Sequence, residues 1–244
     1  MRHALGWIVA LVLATSFCFG AWVLLAHDYD WARLAPYSTS LWKGWGVTLA
    51  ISVSALLLSV AIGAGLTLGQ LSNVAPARWL ARTMVELIRG TPLLVQILIG
   101  YYLFANALGW EDKTSVGIVL LSVFAGAYLS EIFRGGVESI PGSQWESARA
   151  IGLTGAQTYR HVIIPQAIRR VLPATAGQFA NLVKDSSLLY IIGVEEFFLQ
   201  TRSAKSATYL DFETLIPLAV GYLILTLPIS IWTRRMERKL RYAD

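Results

Sequence analysis

Lys184 and Asp185 stand side by side inside an otherwise apolar stretch. Ionisable side chains in such a setting are costly unless they are paired or line a polar path. Gln178, Asn181 and Asp185 follow at i, i+3 and i+7, so a helix would place them on one face. Amide and carboxylate groups beside a lysine suit hydrogen bonding to a polar solute in transit. The alternative is structural: Lys184 pairs with an acid such as Glu131 or Glu86 and fixes helix packing. Glu86 and Arg89 are spaced for a local ion pair, and so are Glu131 and Arg134.

Other chemistry finds little support. His3, His27 and His161 fall in three separate segments, which suggests neither a metal cluster nor a Ser-His pair. Cys18 is the single cysteine, too few thiols for a disulfide within the chain or a zinc site. Glu195 and Glu196 read as a solvated acidic pair. The sequence has no G-x-x-x-x-G-K-[ST] run to cradle a nucleotide. Gly63-Ala64-Gly65, inside an apolar run, reads instead as a site of close helix packing. The expectation is therefore no catalytic residue, no metal and no directly bound cofactor.

The elements that must position the polar face are set by composition. Hydrophobic residues make up 55% of the 244, and charged residues only 14%. A soluble domain carries about 25% charged residues. Six apolar segments stand out: Ala4 to Ala26, Gly46 to Leu71, Met84 to Leu108, Ser115 to Phe133, Pro173 to Phe198 and Thr214 to Thr233. Each suits a helix crossing about 30 Å of hydrocarbon. The first is too long for the apolar part of a cleaved signal and reads as a retained span. Arg78, Arg82, Arg134, Arg149, Arg160, Arg169, Arg170 and the Arg234–Arg241 cluster fall on one side. The other side holds Arg33, Lys43, Lys113, Arg202 and Lys205. That bias predicts both termini on the cytoplasmic side. The basic excess thus reports membrane orientation rather than nucleic acid binding.

Between the fourth and fifth segments lies a polar stretch, Glu138 to Pro173. Ser143-Gln144-Trp145-Glu146 has the capping-box pattern and predicts a short helix from Gln144 to about Ile151. Gly152 suits the left-handed residue that ends it. Thr154-Gly155-Ala156-Gln157 opens a second helix with the same device, limited by Pro165. Pro173 suits the first turn of the next span. Trp145, Ala148 and Gly152 offer an apolar patch. Trp145 is either a docking anchor or a ring at the membrane interface.

These residues carry a resemblance. Glu146-Ser147-Ala148, Gly152 and Val162-Ile163-Ile164-Pro165 resemble the EAA loop of ABC importer permeases, whose pattern is E-A-A-x-x-x-G with I-x-L-P downstream. Ser147, Val162 and Ile164 depart from it by small changes. Arg89-Gly90-Thr91-Pro92-Leu93-Leu94-Val95-Gln96, Gly136 to Gln144, Pro165-Gln166-Ala167, Lys184-Asp185-Ser186-Ser187-Leu188 and Ile192-Gly193-Val194 resemble the polar amino acid branch. The resemblance covers roughly Gly44 to Arg241.

It implies an all-α integral membrane protein of about six transmembrane helices with a cytoplasmic coupling-helix loop, the type I importer permease fold. Residues 1–43 would form a first helix and outer loop, and 44–241 the permease domain, with the coupling loop at 138–173. The function implied is the membrane-spanning subunit of an ATP-driven, binding-protein-dependent importer of polar amino acids in the bacterial inner membrane. The implied partners are a cytoplasmic ATPase dimer that uses the ATP, a second permease subunit and an extracytoplasmic solute-binding protein. The ATPase-docking residues would be Ser143, Trp145, Glu146, Ala148, Gly152 and Leu153. The substrate path would hold Gln178, Asn181, Lys184 and Asp185. A stand-alone secondary transporter or channel, with Lys184 and Asp185 coupling ions, is the second reading.

Overall fold

The computed structural model describes Arg2–Arg241. Met1 and residues 242–244 lie outside the described residues, as do the side chains at 2–10, 17, 21, 24 and 239–241, His3 among them. The described chain is helical: α1 (Arg2–Ala26), α2 (Trp31–Leu34), α3 (Ser38–Gln70), α4 (Ala75–Arg89), α5 (Leu93–Ile99), α6 (Lys113–Glu138), α7 (Gly142–Ala150), α8 (Gly155–Thr158), α9 (Ile164–Asp185), α10 (Phe197–Thr208) and α11 (Phe212–Arg241). Among them, α3, α6 and α11 are each long and apolar enough to cross a membrane alone. Leu11, Leu13 and Phe19 on α1 are exposed, which suits a hydrocarbon surround.

α3 is apolar all round, so side-chain size rather than polarity marks its packed face. Gly44, Thr48, Ser52, Ala55, Ser59, Gly63 and Thr67 are buried along it, mostly four residues apart. Small residues at that spacing let two membrane helices approach closely. A Cβ on Gly63 would lie 2.9 Å from Leu129 Cβ and 3.0 Å from the Gly126 carbonyl on α6. Gly65, expected to share this role, faces open space instead. Ser52 and Thr67 donate to carbonyls four residues back, so their burial leaves no hydroxyl unpaired. Ile51, Ile97, Leu121, Leu182, Leu189 and Ile192 complete the core between α3, α5, α6, α9 and the turn after α9.

Two expected spans are broken. The third, Met84 to Leu108, splits at Gly90–Pro92, and the halves Ala75–Arg89 and Leu93–Ala105 meet at 106°. If the bent pair is one crossing, it is the fourth. Pro92 has no N–H and turns Thr91 away from helical geometry. The carbonyls freed at the break are taken up by Gln96, whose Nε2 donates to Ile88 O at 2.6 Å and to Thr91 O at 3.0 Å.

The fifth expected span begins before Pro173, which lies inside α9 rather than in its first turn. It also ends early. A 3-10 turn, Ser186–Ile192, follows Asp185 and closes on Gly193 at φ +77°. Pro165 does not stop the second loop helix. A π-helical turn, Tyr159–Ile163, joins α8 to α9 without a break. The wider turn accommodates a ring that would clash with the preceding turn of a regular α-helix.

Candidate docking loop and polar path

Helix α7 starts two residues earlier than the capping pattern predicts. Pro141, with ψ 142°, is its N-cap, and no side chain caps it. Ser143 and Glu146 therefore sit inside the first turns instead of forming a capping box. The chain leaves α6 through a tight turn at Ser139 and Ile140, and Pro141 is preorganised to start a helix there. Arg170 on α9 donates to Ser139 O at 2.7 Å, which pins that turn.

The end of α7 follows expectation. Gly152 lies at φ +82°. Its amide donates to Arg149 O at 3.0 Å, and the Leu153 amide to Ala148 O at 3.1 Å. Those two bonds make a Schellman ending. Ala148 is buried and Leu153 half-buried, the apolar contact that accompanies such an ending. The Thr154–Gln157 capping box is present, with both reciprocal bonds formed. Trp145 lies edge-on to Tyr159, ring centroids 5.0 Å apart. Gln166 on α9 reaches Gln144 at 3.2 Å. Trp145 and Ala148 thus face the chain's own helices, whereas Ser143, Glu146 and Gly152 are exposed. The six expected docking residues form one short, braced element rather than a slack loop.

An ionic cluster roots this element in the bundle. Glu131 on α6 accepts from Arg134 at 2.8 Å and from Arg89, at the end of α4, at 3.2 Å. Arg134 also donates to Glu138 at 2.6 Å, four residues before α7. The Glu131–Arg134 pair is as expected. Arg89 pairs across helices with Glu131 and not with Glu86, because the bend at Pro92 turns the end of α4 toward α6.

Gln178, Asn181, Lys184 and Asp185 all lie near the end of α9. Asn181 and Lys184 are exposed, and Gln178 and Asp185 half-buried. Lys184 forms no ion pair with Glu131 or Glu86, since Glu131 is already held by two arginines. Among the described residues, none of the four side chains makes a hydrogen bond or ion pair. The face ends where the helix unwinds, and broken helices in membranes leave backbone groups free to meet a polar solute.

Glu196, expected to be solvated with Glu195, is not. It is fully buried, unlike its neighbour Glu195. As N-cap of α10 it accepts from the Phe198 and Leu199 amides at 2.9 and 2.8 Å. Tyr222 on α11 and Thr48 on α3 donate to Oε2, the oxygen that also accepts from Phe198, at 3.1 and 3.3 Å. The local signal was an acid just before a helix-forming run. Nothing local told of Tyr222 or Thr48.

Known proteins resemble this chain in sequence and fold. The family described as binding-protein-dependent transport system inner membrane component matches residues 61–242. A probable glutamine ABC transporter permease protein of Bacillus subtilis is 36% identical over 197 residues, 81% of this chain and 91% of its own. An arginine transport system permease protein of the same organism is 31% identical over 218 residues, 89% of this chain and all of its own. A crystal structure of an amino acid ABC transporter with histidines superposes with TM-score 0.79 at 33% identity, covering 87% of this chain and all of that one. The inward-facing MetNI methionine transporter shares the fold, with TM-score 0.71 at 20% identity over 84% of this chain and 97% of that one. The chain therefore belongs to the family of binding-protein-dependent transport system inner membrane components, as a membrane-spanning permease subunit.

Proposed function

We propose that this permease subunit forms the membrane path of an ATP-driven importer for polar amino acids, paired with a second copy or a relative of itself. A cytoplasmic ATPase dimer docks on α7 and uses the ATP, while an extracytoplasmic binding protein delivers the solute. Both termini and α7 face the cytoplasm of a bacterial cell, in keeping with the arginine bias. The observation that carries this reading is the bracing of α7. A helix of nine residues, bonded to α9 through Gln144 and entered by a turn that Arg170 of α9 holds, presents Glu146 outward and moves with the bundle when pushed. The relatives' names, glutamine and arginine permeases, support a polar amino acid as cargo. The stand-alone carrier or channel gains nothing from the family membership.

Reconstitution tests the reading. Vesicles holding the chain, its ATPase and its binding protein take up a polar amino acid with ATP inside and none without. Deleting Gly142–Gly152 abolishes ATPase pull-down while leaving membrane insertion intact. Pull-down that survives the deletion contradicts the docking role.

A further inference from the structure

A polar cavity lies apart from the α9 face, at the end of the bundle that carries α7. It has a volume of about 320 Å³ between α3, α4 and α6. Gln70 comes from α3, Arg82, Glu86 and Arg89 from α4, and Glu131 and Arg134 from α6. The volume lies at the lower end of the range for small-molecule sites.

The charges lining it are unequally used. Glu131 is saturated by Arg89 and Arg134. Arg82 and Glu86, one turn apart on α4, take part in no ion pair among the described residues. Gln70 is 1% exposed, and its Nε2 donates to Ser130 Oγ at 3.2 Å. Its Oε1 is buried without a partner. A buried acceptor left unpaired costs free energy and calls for a donor. The cavity thus presents an unpaired cation, an unpaired anion and an orphaned acceptor within one small space.

At 3.6 residues per turn, exposed Leu80, Met84 and Leu87 fall on the other side of α4 from Arg82 and Arg89. Exposed Trp79, seven residues before Glu86, borders the cavity face on the Glu86 side.

We propose that this cavity binds the backbone of a zwitterionic α-amino acid on the α7 side of the permease. Arg82 takes the carboxylate, and Glu86 and the Gln70 carbonyl take the ammonium. Glu131, held by Arg89 and Arg134, braces the wall and leaves Arg82 unclaimed. The site reads the part common to all amino acids and leaves the side chain free. This inference rests on the transport reading above and adds a binding station separate from the α9 face.

The test is equilibrium binding of radiolabelled glutamine, arginine and glutamate to the intact transporter in lipid nanodiscs, with the binding protein omitted. The wild-type assembly binds at least one of them. Arg82→Gln and Glu86→Gln each weaken that binding about tenfold or more, whereas Arg82→Lys keeps most of it. The decarboxylated amine of the bound amino acid fails to compete. Should Arg82→Gln not assemble, Glu86→Gln and the amine competition decide. Wild-type affinity in both glutamine variants, or full competition by the amine, overturns the proposal and leaves the transport reading intact. The same holds if vesicles take up amino acid but the assembly binds none. Absence of uptake in complete vesicles defeats the transport reading itself, and this proposal with it.

Discussion

Trp145 stands edge-on to Tyr159, their ring centroids 5.0 Å apart and their planes at 81°. The contact joins α7 to the π-helical turn that leads into α9. An edge-to-face pair is worth about 0.5–1.5 kcal/mol beyond its area. It makes the loop helix and α9 move as one piece.

Trp145→Ala therefore lowers ATP-driven uptake severalfold while membrane insertion is unchanged. Trp145→Phe retains most of it. Uptake by reconstituted vesicles, alongside protease protection of the loop, checks this. Equal uptake in the alanine variant would show that the pair is not needed for coupling.

Gly152 and Gly155 both face open space, but only Gly152 lies at positive φ. Gly152→Ala costs about 1 kcal/mol from left-handed strain and loosens the Schellman ending. Gly155→Ala, in the first turn of α8, is neutral or stabilises by about 0.4–1 kcal/mol. Thermal unfolding of the two variants in detergent tells them apart, and the opposite order would contradict the ending described.

Gly63 and Gly65 make a similar contrast within α3. Gly63→Ala forces a methyl against Leu129 and the Gly126 carbonyl and costs about 1–3 kcal/mol. Gly65→Ala meets nothing within 4 Å and leaves the melting temperature unchanged. A neutral Gly63→Ala would mean that α3 and α6 do not pack this closely.

Removing the buried Glu196 carboxylate strands the donors that surround it. Glu196→Ala destabilises the fold by about 1–3 kcal/mol, the cost of leaving buried groups unpaired. Glu196→Gln keeps an acceptor oxygen and loses less. Melting temperatures in detergent, read with Tyr222→Phe as a third variant, test the network.

The α9 face predicts the reverse pattern. The Asp185 side chain makes no hydrogen bond or ion pair among the described residues, so Asp185→Asn leaves thermal stability unchanged and alters transport. Full transport at reduced stability would make the residue a packing element instead.

Much of this was legible in local sequence. Apolar segments, the Thr154–Gln157 box, the left-handed Gly152 and the loop motif rest on hydropathy or on partners three to five residues away. Overlapping local signals were harder. Ser143 carries the capping pattern, yet the tight exit from α6 starts the helix at Pro141. Pro173 sits inside α9 without breaking it, so proline alone did not mark the break, and the length of the apolar run around Pro92 hid the 106° bend.

The sequence by itself determined that this chain is a helical membrane protein with a stiff polar loop, because both depend on composition and short-range bonding. Only the tertiary structure decided which charges meet. Arg89 chose Glu131 over the nearer Glu86, Lys184 reached neither Glu131 nor Glu86, and Glu196 went into the interior. Those choices follow from how α3, α4 and α6 cross and rotate. That geometry is set jointly by small-residue faces far apart in the chain, which no local pattern can express.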